Sequence, residues 1–103
     1  MAGAIDPEIL KTANRYIQVL KEKKIAFQGA WLFGSWAQGR ATSDSDIDIA
    51  VLMKDVEIIF LKEVELAMFR RGIDSRIEPH IITPDEPNQT FVREIVEQGI
   101  KLA

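Results

Sequence analysis

Apolar residues along the chain follow two spacings, and the change of spacing marks the change of element. From Ile9 onward, Leu10, Ala13, Ile17 and Leu20 recur every three or four residues, as on one side of a helix. Asp6 stands at the N-cap position and Pro7 at the first helical position, where a missing N–H loses no intrahelical bond. Lys21, Lys23 and Lys24 close this helix with positive charge that complements its dipole, which explains them as a solvated helix end. The pattern then becomes β-like, so that Ile25 to Phe33 predicts a first strand and Asp46 to Met53 a second. Val56 to Arg71 predicts a helix with Ile59, Phe60, Val64, Ala67 and Met68 on one side, ended by Gly72. Arg76 to Thr83 reads as a third strand, with Pro79 best placed at an edge or bulge because it cannot donate to a ladder. Beyond the breaks at Pro84 and Pro87, Thr90 to Gln98 predicts a short helix carrying Phe91, Ile95 and Val96, with Gly99 as its C-cap.

This order of elements predicts an α/β (α+β) fold: a small mixed β-sheet with helices packed on one face. With 103 residues, 47% hydrophobic and 28% charged, residues 1–103 are expected to form one domain. The absence of cysteine excludes disulfides and thiolate metal sites. Met1 to Pro7 lacks the basic and apolar regions of a signal peptide, and no apolar run has membrane-spanning length, so the expected location is cytoplasmic, with no membrane partner. A formal net charge of −3 is the opposite of the broad basic surface that strong duplex binding requires, which argues against nucleic acid as a direct partner.

Residues 34 to 51, GSWAQGRATSDSDIDIAV, carry the candidate chemistry. On a strand Asp46 and Asp48 point to one face while Ile47, Ile49 and Val51 point to the other. Two ionised carboxylates held that close repel unless a cation neutralises them. Oxygen ligands suit Mg²⁺ or Mn²⁺, and Mg²⁺ is usually held by one or two carboxylates together with substrate phosphates. Gly34-Ser35 follows the apolar run Ala30 to Phe33, at a strand end where a short helical turn through Trp36 and Ala37 can begin. Backbone N–H groups at such a turn favour phosphate oxygens, Gly34 permits close approach, and the Ser35 hydroxyl can add a hydrogen bond. Asp44, Asp46 and Asp48 also imitate the start of a calcium loop, but Ile49 and Asp55 stand where that loop needs Gly and Glu, so calcium is excluded.

Gly34-Ser35, ten intervening residues, and Asp46-Ile47-Asp48-Ile49 together resemble the signature of the DNA polymerase beta-like nucleotidyltransferase superfamily. The short chain resembles its minimal nucleotidyltransferases in particular. The resemblance implies a nucleotidyltransferase fold in which Gly34 and Ser35 bind the triphosphate of ATP and Asp46 and Asp48 hold the metal, Mg²⁺ or Mn²⁺. It also implies a third carboxylate on the neighbouring strand, which is assigned to Glu78 for both catalysis and metal binding, with Asp74 in reserve. The family often has a basic residue where Gln38 stands, so Arg40 is read either as the source of that charge at the nucleotide or as a solvated loop residue. By the same likeness, the chain is expected to transfer AMP to a tyrosine of a HEPN-domain toxin, acting as its antitoxin within a hetero-oligomer. Two alternatives are a nucleotide-binding module that neutralises its partner by contact alone and a transferase for small molecules such as drugs. His80, the only histidine, shares a strand face with Glu78 and reads as a partly buried hydrogen-bonding residue before it reads as a catalyst. Trp31 belongs to the core, while Trp36 either covers the nucleotide or packs beneath the loop.

Overall fold

The computed structural model describes residues 5–103, so Met1 to Ala4, part of the stretch read as unlike a signal peptide, lie outside it. Helix α1 (Pro7–Glu22) forms where predicted, with the Asp6 carboxylate accepting from the Glu8 N–H at 2.9 Å. Its inward side carries Ile9, Ala13, Tyr16, Ile17 and Leu20. Lys24 takes a left-handed conformation (φ 59°) just beyond the helix, and Ile25 N–H reaches back to the Leu20 carbonyl, closing the C-terminal turn.

Strands β1 (Gly29–Phe33), β2 (Ile47–Leu52), β3 (Ile77–Ile82) and β4 (Ile100–Lys101) form one mixed sheet in the order β3-β2-β1-β4. β1 is antiparallel to β2 and β4, and β2 is parallel to β3, so the third strand does lie beside the one that carries Asp48. On one face, Ala30, Leu32, Ile47, Ile49, Val51, Ile77 and Ile81 are buried in a cluster with α1 and with Leu66 of α2 (Ile59–Met68). The buried Tyr16 hydroxyl donates to the Leu66 carbonyl at 2.5 Å and ties the two helices together.

The remaining helix departs from the expectation that all helices share one face. α3 (Gln89–Gln98) packs Ile95 against Trp31, Ala50 and Ile82 on the opposite side of the sheet. The reason is local to the strands: the face that carries Asp48 and Glu78 at one end becomes apolar at Ala50, Leu52 and Ile82, and that end needs cover. Gly99 is the C-cap as predicted, but its backbone is extended, and glycine is needed there because a Cβ would press on the Ile95 and Leu32 carbonyl oxygens.

Helix α2 is also turned differently from its expected orientation. Ile59, Phe60, Val64 and Met68 are exposed, Phe60 to 70%, and the buried residue is Leu66. The segment from Ile58 to Phe69 is apolar almost all round, so spacing alone did not single out an inward side. The rotation lets charged residues of this segment cover the open edge of β3. Glu63 accepts from the Ile81 N–H at 2.9 Å, and Arg70 donates to the Ile77 carbonyl at 2.9 Å. Pro79 shares the outward direction of Ile77 and Ile81, so its missing N–H removes no bond to β2. Strand β4 was not foreseen, because two residues are too few to show alternation. No described helix is long and apolar enough to cross a membrane.

Candidate active site

The site forms where three strands bring alternate residues to one end of one face. Asp48 lies opposite Phe33 on β1 and opposite Glu78 on β3, and His80 follows Glu78 by two residues on the same side. His80 Nε2 stands 3.2 Å from Asp48 Oδ1 and 3.7 Å from Glu78 Oε1. The imidazole packs edge-on to Phe33, ring centroids 5.2 Å apart, and Phe33 meets Phe91 of α3 in the same manner at 6.0 Å. Asp46, one residue before β2, is exposed and adjoins Glu78.

The carboxylates act on one another as the repulsion argument requires. A hydrogen bond with Asp46 raises the Glu78 pKa above its ordinary value, helped by partial burial and the Asp46 and Asp48 charges and opposed by His80. The His80 pKa is also raised, first by its hydrogen bond with Asp48 and against the effect of burial. Donor atoms of Asp48, Glu78 and His80 all lie within 4.8 Å of one another, a set that fits a divalent cation.

Gly34 completes this side of the site. Its φ of +76° is one that side chains avoid, and a Cβ built there would fall on Asp48 Oδ2. The chain then makes a turn from Ser35 to Gly39, closed by Gln38 N–H to the Gly34 carbonyl and Arg40 N–H to the Ser35 carbonyl, both at 3.1 Å. The N–H groups of Ser35, Trp36 and Ala37 at the head of the turn have no backbone acceptor among the described residues, which leaves them to a ligand or to water. Trp36 packs beneath the loop: its indole N–H donates to the Ser45 carbonyl at 3.2 Å and its ring is half-buried against the core.

Two candidates from the sequence stand apart from this cluster. The Arg40 Nε donates to Gln38 Oε1 at 2.6 Å, both residues are exposed, and the guanidinium is not brought to the carboxylates. Asp74 is occupied by Arg76, whose Nε and NH2 donate to its two oxygens at 3.0 and 2.7 Å. That pairing holds the Asp74 carboxyl below its usual range and leaves Glu78 as the carboxylate facing Asp48. Arg76 itself is a residue that the sequence reading missed. It also donates to the Ser43 carbonyl at 2.9 Å and lies 5.9 Å from the Trp36 ring centroid, joining the loop ahead of Asp46 to the start of β3. The one available sign was its place immediately before a strand whose neighbours are apolar. His80 was visible in the alternation from Glu78, but its distance from Asp48 depends on strand pairing.

The chain is similar to known proteins over most of its length. It is 31% identical over 90 residues to protein adenylyltransferase MntA of Shewanella oneidensis, a match that covers 86% of this chain and 63% of MntA. Thus it spans less than two thirds of that relative's length. Among solved structures, it superposes with a TM-score of 0.66 on a toxin-antitoxin complex with AMP-PNP, at 29% identity, covering 87% of this chain and 72% of the other. It also matches a chain from the tri-AMPylated HEPN toxin of Shewanella oneidensis in complex with its MNT antitoxin, with a TM-score of 0.62, 26% identity, and coverage of 92% and 71%. Residues 14–103, which hold the turn, the paired aspartates, Glu78 and His80, match the family described as polymerase beta, nucleotidyltransferase, and the chain belongs to that family.

Proposed function

We propose that this protein is an adenylyltransferase that moves AMP from ATP to a tyrosine hydroxyl of a HEPN-domain toxin, and so acts as the antitoxin of that partner. The observation that carries the reading is the convergence of Asp48 and Glu78, with Asp46 beside them, next to a glycine turn whose leading N–H groups have no backbone acceptor among the described residues. The likeness to an adenylyltransferase, and to chains from complexes with AMP-PNP and with an AMPylated HEPN toxin, supports it.

In this reading, Asp46, Asp48 and Glu78 hold Mg²⁺ or Mn²⁺. When bound, the cation supplies charge neutralisation at the phosphates of ATP and at the leaving pyrophosphate. The N–H groups of Ser35, Trp36 and Ala37 and the Ser35 hydroxyl bind the triphosphate, and Gly34 keeps the approach to Asp48 open. Arg40, on a short exposed loop, turns from Gln38 to the phosphates. Glu78 orients the acceptor hydroxyl and takes its proton as the oxygen forms a bond to the α-phosphorus and the bond to pyrophosphate breaks. The protein works with its toxin as a hetero-oligomer in the cytoplasm.

The test is incubation with Mg²⁺, the HEPN partner, and ATP labelled at the α- or γ-phosphate. Label on the partner from the α-position alone, absent with Asp46→Ala, is expected. Neutralisation of the partner by Asp46→Ala at wild-type strength and without label would overturn the reading in favour of a contact-only module.

A further inference from the structure

We propose that His80 is a ligand of the divalent cation, through Nε2, and that it makes the site prefer Mn²⁺ to Mg²⁺. The inference rests on the reading of Asp48 and Glu78 as cation ligands and adds to them a residue whose chemistry differs from theirs.

Three observations carry it. First, the parallel register of β2 and β3 sets Glu78 opposite Asp48 and His80 one pleat further along the same face, so the imidazole enters the cluster from a rigid strand. Second, the ring is aimed: its Nε2 stands 3.2 Å from Asp48 Oδ1 and 3.7 Å from Glu78 Oε1, and Phe33 packs edge-on to the ring from the β1 side. Third, the three donors lie within 4.8 Å of one another. Adjacent ligands of one octahedral cation stand about 3 Å apart and opposite ones about 4 Å, given metal–ligand bonds of about 2.1 Å. The trio therefore spans the right distance to share an ion after only small side-chain adjustments.

The donor type then decides the preference. Mg²⁺ favours oxygen ligands and gives up water reluctantly, whereas first-row transition ions accept imidazole nitrogen readily. A histidine confined to hydrogen bonding with Asp48 would hold that carboxylate equally for either metal. A histidine that binds the metal discriminates between them.

Mn²⁺ serves as the probe because it is paramagnetic. The full chain is titrated with Mn²⁺ alone and then with Mg²⁺ as competitor, following the signal of free Mn²⁺, and nitrogen-14 modulation is sought in the electron spin echo of the bound ion. Wild type should bind Mn²⁺ at least about tenfold more tightly than Mg²⁺ and show the nitrogen signature. His80→Asn and His80→Gln, each checked for fold by circular dichroism, should lose that signature and about 10- to 100-fold in Mn²⁺ affinity while Mg²⁺ affinity changes by less than about threefold. Bound Mn²⁺ that is released in Asp48→Asn but shows no nitrogen modulation overturns the role of His80 and leaves the carboxylate site standing. Equal losses for both metals overturn it in the same way. Absence of Mn²⁺ binding in wild type overturns the carboxylate reading as well.

Discussion

Gly34 and Asp48 share one volume: the place where a side chain would begin on Gly34 is filled by Oδ2 of Asp48. The turn and the carboxylate are thereby held against each other, with the N–H groups proposed to bind phosphate on one side of the contact and the oxygens proposed to bind the cation on the other. Gly34→Ala should fold but lose about 1–3 kcal/mol of stability, from the positive φ and the displaced carboxylate. Transfer of AMP should fall by at least about 100-fold, since a displacement near 1 Å at reacting groups costs that much. Measured transfer within a fewfold of wild type would show that the contact does not position Asp48.

Asp46, Asp48 and Glu78 repel in the metal-free protein, so a cation should stabilise the fold as well as serve the reaction. Mg²⁺ or Mn²⁺ at a hundredfold excess over Kd should add about 2.7 kcal/mol, seen as a rise of several degrees in Tm and reversed by EDTA. Asp48→Asn should melt at an unchanged or higher temperature than wild type without metal and should gain little when metal is added. An equal rise in both proteins would place the cation elsewhere.

The Tyr16 hydroxyl is the polar link between α1 and α2, and its burial pushes its pKa up. Tyr16→Phe leaves the Leu66 carbonyl without that donor in a dry region. The expected loss is about 1–2 kcal/mol in urea unfolding, at an unchanged m-value. A neutral result would mean that the Phe69 N–H, which also donates to this carbonyl at 3.2 Å, satisfies it alone.

The Asp74–Arg76 pair gives stability a pH dependence of known sign. Its carboxyl is held below the ordinary value in the folded chain, so the pair stabilises the fold above about pH 4, where the unfolded chain is also ionised. That contribution is lost as the pH falls through the folded-state pKa. Asp74→Asn should cost about 1 kcal/mol at pH 7 and progressively less as the pH falls below about 4. Denaturation curves of the two proteins at several pH values would refute this if the gap widened in acid.

What could be read from the sequence was whatever a single element encodes. The Asp6 cap, the α1 spacing, the alternating strand that carries Asp48 and the Gly-Ser turn are local patterns that the structure has, although Asp46 lies just ahead of the strand instead of on it. Pro79 was placed at an edge by its missing donor, and β3 is an edge. The features that were not legible depend on pairing between elements. An apolar-all-round α2 gave no inward side, and the face chosen by α3 follows from Ala50 and Ile82 lying together across two strands. Glu78 was preferred to Asp74 from the sequence, but the guanidinium of Arg76, which binds Asp74 and reaches across to the Ser43 carbonyl, was not foreseen. The nearness of His80 to Asp48 likewise depends on a register that no single segment contains.

Because β2 and β3 are parallel, Asp48 cannot meet Glu78 and His80 until the whole of α2 has crossed from one end of the sheet to the other. A nascent chain that has made only the β1–β2 hairpin displays paired aspartates and a glycine turn but no third carboxylate and no imidazole. Competence in this molecule is therefore a property of the completed β-α-β crossover, and a product truncated within α2 would be inert, not indiscriminate. For the proposed adenylyltransferase, an unfinished copy that cannot react is the safer copy.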